Sequence, residues 1–188
     1  MPTRKPVAPV IDPALCESFP PAAGDDARVL ILGSMPGVAS LRAQQYYAHP
    51  RNLFWPFMGA LFGAAPELPY AERLRQLQRH GIAVWDVLAF CERPGSLDGR
   101  IARASEVAND IAGLRAKQPR LERICLNGGK AAEVFERHIA KRVPQAIAGL
   151  SVIALPSTSP ANAGIARDTK FAAWRDALAP YSKRSASP

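Results

Sequence analysis

The chain has 188 residues, 48% hydrophobic and 21% charged, enough for one domain with a sizeable core and the composition of an ordinary soluble globular protein. Its three cysteines, Cys16, Cys91 and Cys125, are widely spaced and odd in number, which excludes a disulfide framework and a Cys-x-x-Cys zinc site and points to a reducing cytoplasm. The net charge of +8 and pI of about 9.9 favour acidic partners, nucleic acid before anionic membrane, with a merely basic soluble protein as the plain alternative.

Residues 1–27 hold six prolines and sustain neither a helical nor a strand period, so they are expected to form an irregular arm with one turn near Pro13 to Phe19. No apolar segment follows Arg4 and Lys5, so no signal peptide is expected, and no stretch approaches the roughly 20 apolar residues of a membrane span. Val29–Leu32 reads as a first strand, broken at Gly33-Ser34-Met35-Pro36-Gly37, where Gly frees φ and Pro stops pairing. An apolar helix is expected over Phe54–Phe62. A second is expected over Tyr70–His80, with Gly81 as its stop. Ile82–Leu88 is a second apolar run with one acid inside it. Ser105 is placed to cap a helix bearing Val107, Ile111 and Leu114. Arg123–Asn127 reads as a third strand, before Gly128-Gly129 and a helix. Leu150–Leu155 reads as a fourth, ending at Pro156-Ser157-Thr158-Ser159-Pro160. Asp168 is placed to cap the last helix, and 182–188 is a polar tail. Alternating strands and helices imply a three-layer α/β/α domain over residues 28–181 around a four-stranded parallel sheet.

In such a fold the loops after the strands meet on one edge and form the site. Those loops carry Gly33–Gly37, Asp86, Asn127 and 156–160. Asp86 lies in an apolar run, where an acid is costly unless bonded; it either caps a nearby loop or points into a pocket. Asn127 is a turn residue or a second pocket amide. No acid occurs from Ala27 to Pro66 or from Arg137 to Arg167, while Arg28, Arg42, Arg51, Lys141 and Arg142 are present. Small hydroxyls and backbone N–H groups on a basic surface suit phosphate. Phe54 and Trp55 are either core or a surface for stacking on a planar ligand. His49, His80 and His138 lack zinc-like spacing. The Gly-rich stretches match neither a P-loop nor a dinucleotide fingerprint, and Ser34 is one residue off a nucleophile elbow.

Five segments carry a resemblance: LILGSMPG (30–37), YYAHPRNLFW (46–55), GIAVWDVLAFCERPGSLDGRI (81–101), ICLNGGKAA (124–132) and LPSTSPANA (155–163). Together they resemble the uracil-DNA glycosylase superfamily, and most closely its hypoxanthine-DNA (deoxyinosine) glycosylase branch. The resemblance implies an α/β/α fold that flips a deaminated base from the duplex and hydrolyses its N-glycosidic bond, without metal or cofactor. It implies damaged duplex DNA as partner, with single-stranded DNA as a further possibility, no membrane, a monomer, and a cytoplasmic location that is nucleoid-associated if the source is bacterial. In much of the superfamily the third residue of the first loop is an Asp or Asn that handles the attacking water; here it is Met35. A His or Asn precedes Pro-Ser in many relatives; here it is Leu155. Both departures fit the hypoxanthine branch, whose essential polar residue is the Asn of His-Pro-Arg-Asn, Asn52 in this chain.

On this reading Asn52 orients the water by its amide, since an amide has no useful pKa for a general base. Gly33, Ser34, Met35 and Pro36 line the base pocket, Phe54 stacks on the flipped base, and Asn127 and Asp86 face its edge. An ionised Asp86 would accept from a ring N–H and repel a carbonyl oxygen, and since uracil and hypoxanthine both show that N–H beside a carbonyl, it does not choose between them. Arg51, Ser157, Thr158, Ser159 and Asn162 grip the DNA backbone. Two other classes stay open. One is a uracil-removing or catalytically silent DNA-binding member of the same fold, decided by a cleavage assay. The other is a small-molecule hydrolase on a similar sheet, decided by binding to duplex DNA.

Overall fold

The computed structural model describes residues 15–182. In chain order the elements are β1 (Leu15–Glu17), β2 (Val29–Gly33), α1 (Val38–Ala43), α2 (Phe54–Phe62), α3 (Tyr70–Arg79), β3 (Ile82–Asp86), β4 (Leu88–Glu92), β5 (Val107–Ala108), α4 (Ile111–Lys117), β6 (Arg123–Asn127), α5 (Gly129–Phe135), β7 (Ser151–Leu155) and α6 (Arg167–Ser182). The short apolar runs pair in the order β3-β2-β6-β7, every neighbour parallel. Strands β2 and β3 are buried along their whole length, as continuous apolar strands between helical layers must be. The result is a three-layer α/β/α sandwich.

The chain lays β3 on one side of β2 and β6 on the other, so the strand order reverses at β2. Loops after β2 and β6 therefore diverge and leave a crevice at the carboxyl ends of the strands. Helix α2 buries Phe54, Trp55, Phe57, Met58 and Phe62 and packs on α6, whose Trp174 is fully buried. Helix α3 stops where predicted: Gly81 takes φ +69°, a conformation natural to glycine, and β3 begins at the next residue.

Four expectations are corrected. Residues 15–17 of the N-terminal arm form a strand paired antiparallel to β4, and Ala22 bridges to Val84; residues 1–14 and the tail beyond 182 lie outside the described residues. The run Ile82–Leu88 is two strands, not one. Val87 N–H donates to the Gly33 carbonyl and Leu88 N–H to that of Ser34, which turns the chain across the end of β2 into a second, antiparallel sheet β1-β4-β5. Ser105 caps no helix. Its hydroxyl donates to the Ala102 carbonyl and accepts from Glu92 N–H, while Val107 joins β5 and Asp110 caps α4 by accepting from Gly113 N–H at 2.8 Å. Asp168 lies inside the first turn of α6, which starts at Arg167. Among the described residues no helix is long and apolar enough to cross a membrane.

Candidate active site

A cleft of about 700 Å³ opens at the carboxyl edge of the parallel sheet. Its walls are the 33–40 loop, the 46–52 segment, residues 96–99, the start of α5 and the 157–162 loop, with Asp86 and Asn127 also on its surface. Thus Gly33, Ser34, Met35, Pro36, Arg51, Asn52, Asp86, Asn127, Ser157, Thr158, Ser159 and Asn162 all meet at one cleft, although they come from five separate stretches of the chain.

The first loop is held from behind. Arg93, at the end of β4 and fully buried, donates to the carbonyls of Met35, Pro36 and Gly95 and lies 3.6 Å from an Asp98 oxygen. Ser34 Oγ donates to Asp98 Oδ2 at 2.6 Å. Burial raises the Asp98 carboxyl, opposed by that Ser34 bond and by Arg93. Residues 93–98 look from sequence like a Pro-Gly surface turn, so this buttress was not foreseen. The only signal was an arginine next to a Pro-Gly turn.

Gly33 sits opposite Asp86 in the β2–β3 register. A Cβ at position 33 would lie 2.4 Å from Asp86 Oδ1 and 3.3 Å from the Tyr47 hydroxyl, so glycine is what lets these two groups share the floor of the cleft. Asp86 is 3% exposed, and its Oδ2 is buried without a hydrogen-bond partner among the described residues. Burial first and Asp98 second push its carboxyl up to about 8, against a lowering by Arg93. Unpartnered at Oδ2 among the described residues and out of water, the carboxyl is held well above the usual carboxylate range, which favours its protonated form over an ionised one.

Phe54 is also corrected. It is fully buried, does not line the cleft, and is enclosed by Tyr47, Trp55 and Trp174. Tyr46 and Tyr47 line the cleft instead, and Tyr47 is stacked on Phe54 at 3.9 Å and 22°. Tyr47 has φ +55°, rare for a non-glycine residue and costly enough to need support from its surroundings, and its hydroxyl is buried beside Asn127. The doubled Tyr46-Tyr47 hid it: Tyr46 is a core residue whose hydroxyl donates to the arm at Phe19 and Pro20.

Asn52 lines the cleft between His49 and α2. Its Oδ1 accepts from the N–H of Phe54, the first residue of α2, at 2.9 Å, and its backbone N–H donates to the His49 carbonyl. Its amide nitrogen has no partner among the described residues, and one oxygen lone pair remains. The Arg51 side chain is exposed and makes no ion pair among the described residues. Lys130, at the start of α5, adds a second cation to the rim, anchored by the buried Glu106 at 3.6 Å.

The opposite wall is tied to the sheet. Asn127 Nδ2 donates to Thr158 Oγ1 at 2.9 Å, and Thr158 N–H donates back to Asn127 Oδ1 at 3.0 Å. Thr158 is 0% exposed, so its side chain cannot reach a phosphate and that assignment is corrected toward scaffold, whereas Asn127 lines the cleft and keeps one amide hydrogen outside this clamp. Gly128, at φ +98°, leaves no room for a side chain: a Cβ there would meet Ser157 Cβ at 2.7 Å. Leu53 N–H donates to the Thr158 carbonyl, joining the two walls. Ser157, Ser159 and Asn162 remain partly exposed on the rim. Among the described residues no three His, Cys, Asp or Glu side chains converge as a metal site needs.

A family model described as the Uracil DNA glycosylase superfamily matches residues 20–179. A Hypoxanthine DNA glycosylase of Methanosarcina acetivorans is 40% identical over 116 residues, covering 61% of this chain and 72% of the relative. One of Methanosarcina barkeri is 37% identical over 118 residues, covering 62% and 73%. The solution NMR structure of a candidate uracil DNA glycosylase from Methanosarcina acetivorans superposes with a TM-score of 0.74 at 32% identity, covering 90% of this chain and 99% of that one.

Proposed function

The chain belongs to the uracil DNA glycosylase superfamily, and from that premise we propose that it excises hypoxanthine from deaminated DNA by hydrolysing the N-glycosidic bond. The observation that carries the base is the 40% identity to a relative named Hypoxanthine DNA glycosylase. The cleft supplies what the reaction asks of a protein. The transition state is oxocarbenium-like, so water must be held on one face of the sugar and the departing base steadied on the other.

In this reading the flipped base enters the cleft and stacks on Tyr47, whose far side is already backed by Phe54. Asn52 sits where its free amide groups orient the attacking water. As the C1′–N bond breaks, its electron pair leaves with the base. The water oxygen bonds to C1′ and its proton is lost to solvent. Arg51, Lys130, Ser157, Ser159 and Asn162 lie on the rim, in position for the backbone of duplex DNA.

The test is to incubate the protein, with chelator present, with oligonucleotides holding one hypoxanthine, uracil, xanthine or ethenoadenine, and then to cleave abasic sites with alkali. Strand scission at hypoxanthine is expected; scission at none of the four would end this reading. Uracil is the second reading, favoured by the solved relative named for uracil. Uracil cut faster than hypoxanthine would select it.

A further inference from the structure

A second pocket, of about 230 Å³, lies behind the segment that carries Asn52. Tyr47, His49 and Asn52 line both this pocket and the cleft, so one stretch of chain is the wall between them. Gln45 and Arg73, the latter from α3, also line it. Arg73 is half-buried and forms no ion pair among the described residues; Glu72, the acid beside it in sequence, is taken by Arg75 and Arg79. Its guanidinium is held 4.5 Å from the centre of the Trp55 ring and 5.3 Å from that of Tyr70. Burial lowers its pKa from the ordinary value, with only Tyr70 opposing, yet an arginine so placed is still a cation at neutral pH.

The polar groups around this pocket are donors left unspent. Arg73 Nη2 donates to Gln45 Oε1 at 3.2 Å, while Arg73 Nη1 and the Gln45 amide nitrogen have no partner among the described residues. His49 Nδ1 accepts from Arg51 N–H at 3.1 Å, so that nitrogen carries no proton and the ring hydrogen sits on Nε2, ready to donate. Asn52 gives its oxygen to the Phe54 N–H and keeps its amide nitrogen. No Asp or Glu lines the pocket, and none occurs in the chain from Ala27 to Pro66. Stacking on Trp55 would account for Arg73 alone, but not for the spare donors of Gln45 and His49 on the same pocket. Converging N–H groups, a cation and no carboxylate make a site for an anion.

We propose that this pocket is a phosphate subsite, which takes a backbone phosphodiester of the strand whose base enters the cleft. The inference rests on the glycosylase reading above and extends its DNA contacts beyond the rim. Arg73 supplies the charge, and Gln45 and His49 supply neutral hydrogen bonds to the non-bridging oxygens. The shared wall sets the register. An anion seated here is separated from the cleft only by the segment that bears Tyr47 and Asn52, so it belongs to a nucleotide beside the flipped one. Seating it draws the strand against that segment and holds the flipped nucleotide from outside the cleft.

Binding is measured against salt for the wild-type protein, Arg73→Met and Gln45→Ala, on a duplex with a hydrolysis-resistant 2′-fluoro hypoxanthine nucleotide. A neutral methylphosphonate replaces each flanking phosphate in turn. Methionine keeps an apolar stem over Trp55 and removes the charge. Arg73→Met is expected to weaken binding about tenfold and to lower the slope of log affinity against log salt by about one. At one flanking position the methylphosphonate should weaken the wild-type protein by a similar factor and cost Arg73→Met nothing further, the coupling that marks a shared contact. Gln45→Ala leaves the stacked arginine in place; it should show a smaller loss coupled to the same position, and it carries the test if Arg73→Met does not fold. Losses that add at every flanking phosphate would overturn the proposal. Inorganic phosphate is the control for a free anion: if it shifts the NMR signals of the His49 ring while no flanking phosphate couples, the pocket is not a DNA subsite and the proposal fails. A wild-type protein that couples to one phosphate yet excises none of the four test bases would instead defeat the glycosylase reading and leave the subsite standing.

Discussion

On one wall of the cleft, residues 157–162, each polar side chain has a partner inside the protein. Thr158 is clamped by Asn127, Ser157 Oγ accepts from Ser159 N–H, Ser159 Oγ accepts from Ala161 N–H, and Asn162 Nδ2 lies 3.5 Å from the Ser157 carbonyl. On the facing wall and floor, Asp86 Oδ2 is buried with no partner among the described residues, and the Asn52 amide nitrogen has none there either. Buried polar groups without partners are costly, so a protein keeps them where something else supplies the partner. The contrast separates a scaffold, which must hold its shape before DNA arrives, from a surface completed by the base and the water.

The largest effect is expected on the open wall. Asn52→Ala should slow single-turnover excision by about 100-fold or more, as removal of one preorganised polar group from a transition state does. The lost hydrogen bond to the Phe54 N–H should cost about 1 kcal/mol of stability, too little to unfold the domain. Asn52→Asp keeps an oxygen for the Phe54 N–H and supplies a base, so it should recover activity relative to alanine and gain activity on uracil. Wild-type excision by Asn52→Ala would make Asn52 a structural loop residue and nothing more.

On the tied wall the order of effects should reverse. Asn127→Ala leaves the buried Thr158 hydroxyl and N–H without partners, which should cost about 2 kcal/mol. That corresponds to a Tm lower by roughly 4–8 °C for a domain of this size. Excision per folded molecule should change far less than in Asn52→Ala. A variant with unchanged Tm and collapsed excision would place Asn127 on the ligand side and break the comparison.

A smaller effect follows from Asp86 in the free protein. Its folded pKa is raised from 3.8 to about 8, so between those values the native state binds more protons than the unfolded chain. Stability must therefore fall as pH rises through that window. Melting curves at pH 5 and pH 8 should show a drop of a few °C in the wild type, less in Asp86→Asn. Equal drops in both proteins would mean that the unpartnered carboxyl is not strained by its burial.

Much of this division was legible in the sequence, for identifiable reasons. The four parallel strands are short apolar runs ended by Gly33, Asp86, Asn127 and Pro156, and those residues also mark the loops that build the cleft. Asp86 stood out as an acid in an apolar run, while Asn52 was named only through the resemblance that His-Pro-Arg-Asn carries. What could not be read was the use of side chains across long sequence separations. Asn127 and Thr158 are 31 residues apart, and nothing local shows that they satisfy each other. The β1-β4-β5 sheet was invisible because its strands are two to five residues long and its register comes from partners up to 77 positions away. Phe54 and Tyr47 were exchanged because both are aromatics in the stretch that leads from α1 into α2. Only the packing of α2 on α6 decides which is covered.

The smallest expected effect lies at the rim and concerns Arg51. Many of the arginines are already engaged: Arg28 with Glu122, Arg137 with Glu106 and Glu133, Arg93 with Asp98 and loop carbonyls. Arg51 is exposed on the open wall, one residue before Asn52, in a stretch with no acid from Ala27 to Pro66. Its charge is therefore free to displace a counterion from a phosphate. Arg51→Ala should weaken duplex binding by a similar factor whatever the sequence. It should also lower the slope of log affinity against log salt by about one, the signature of one phosphate contact. Single-turnover excision at saturating protein should stay close to the wild-type rate, since the water and the base are held by other residues. If the slope is unchanged, Arg51 is a solvated loop charge. If the saturated rate collapses with the slope intact, the arginine acts on the chemistry, and the line between rim and reacting centre falls one residue earlier than Asn52.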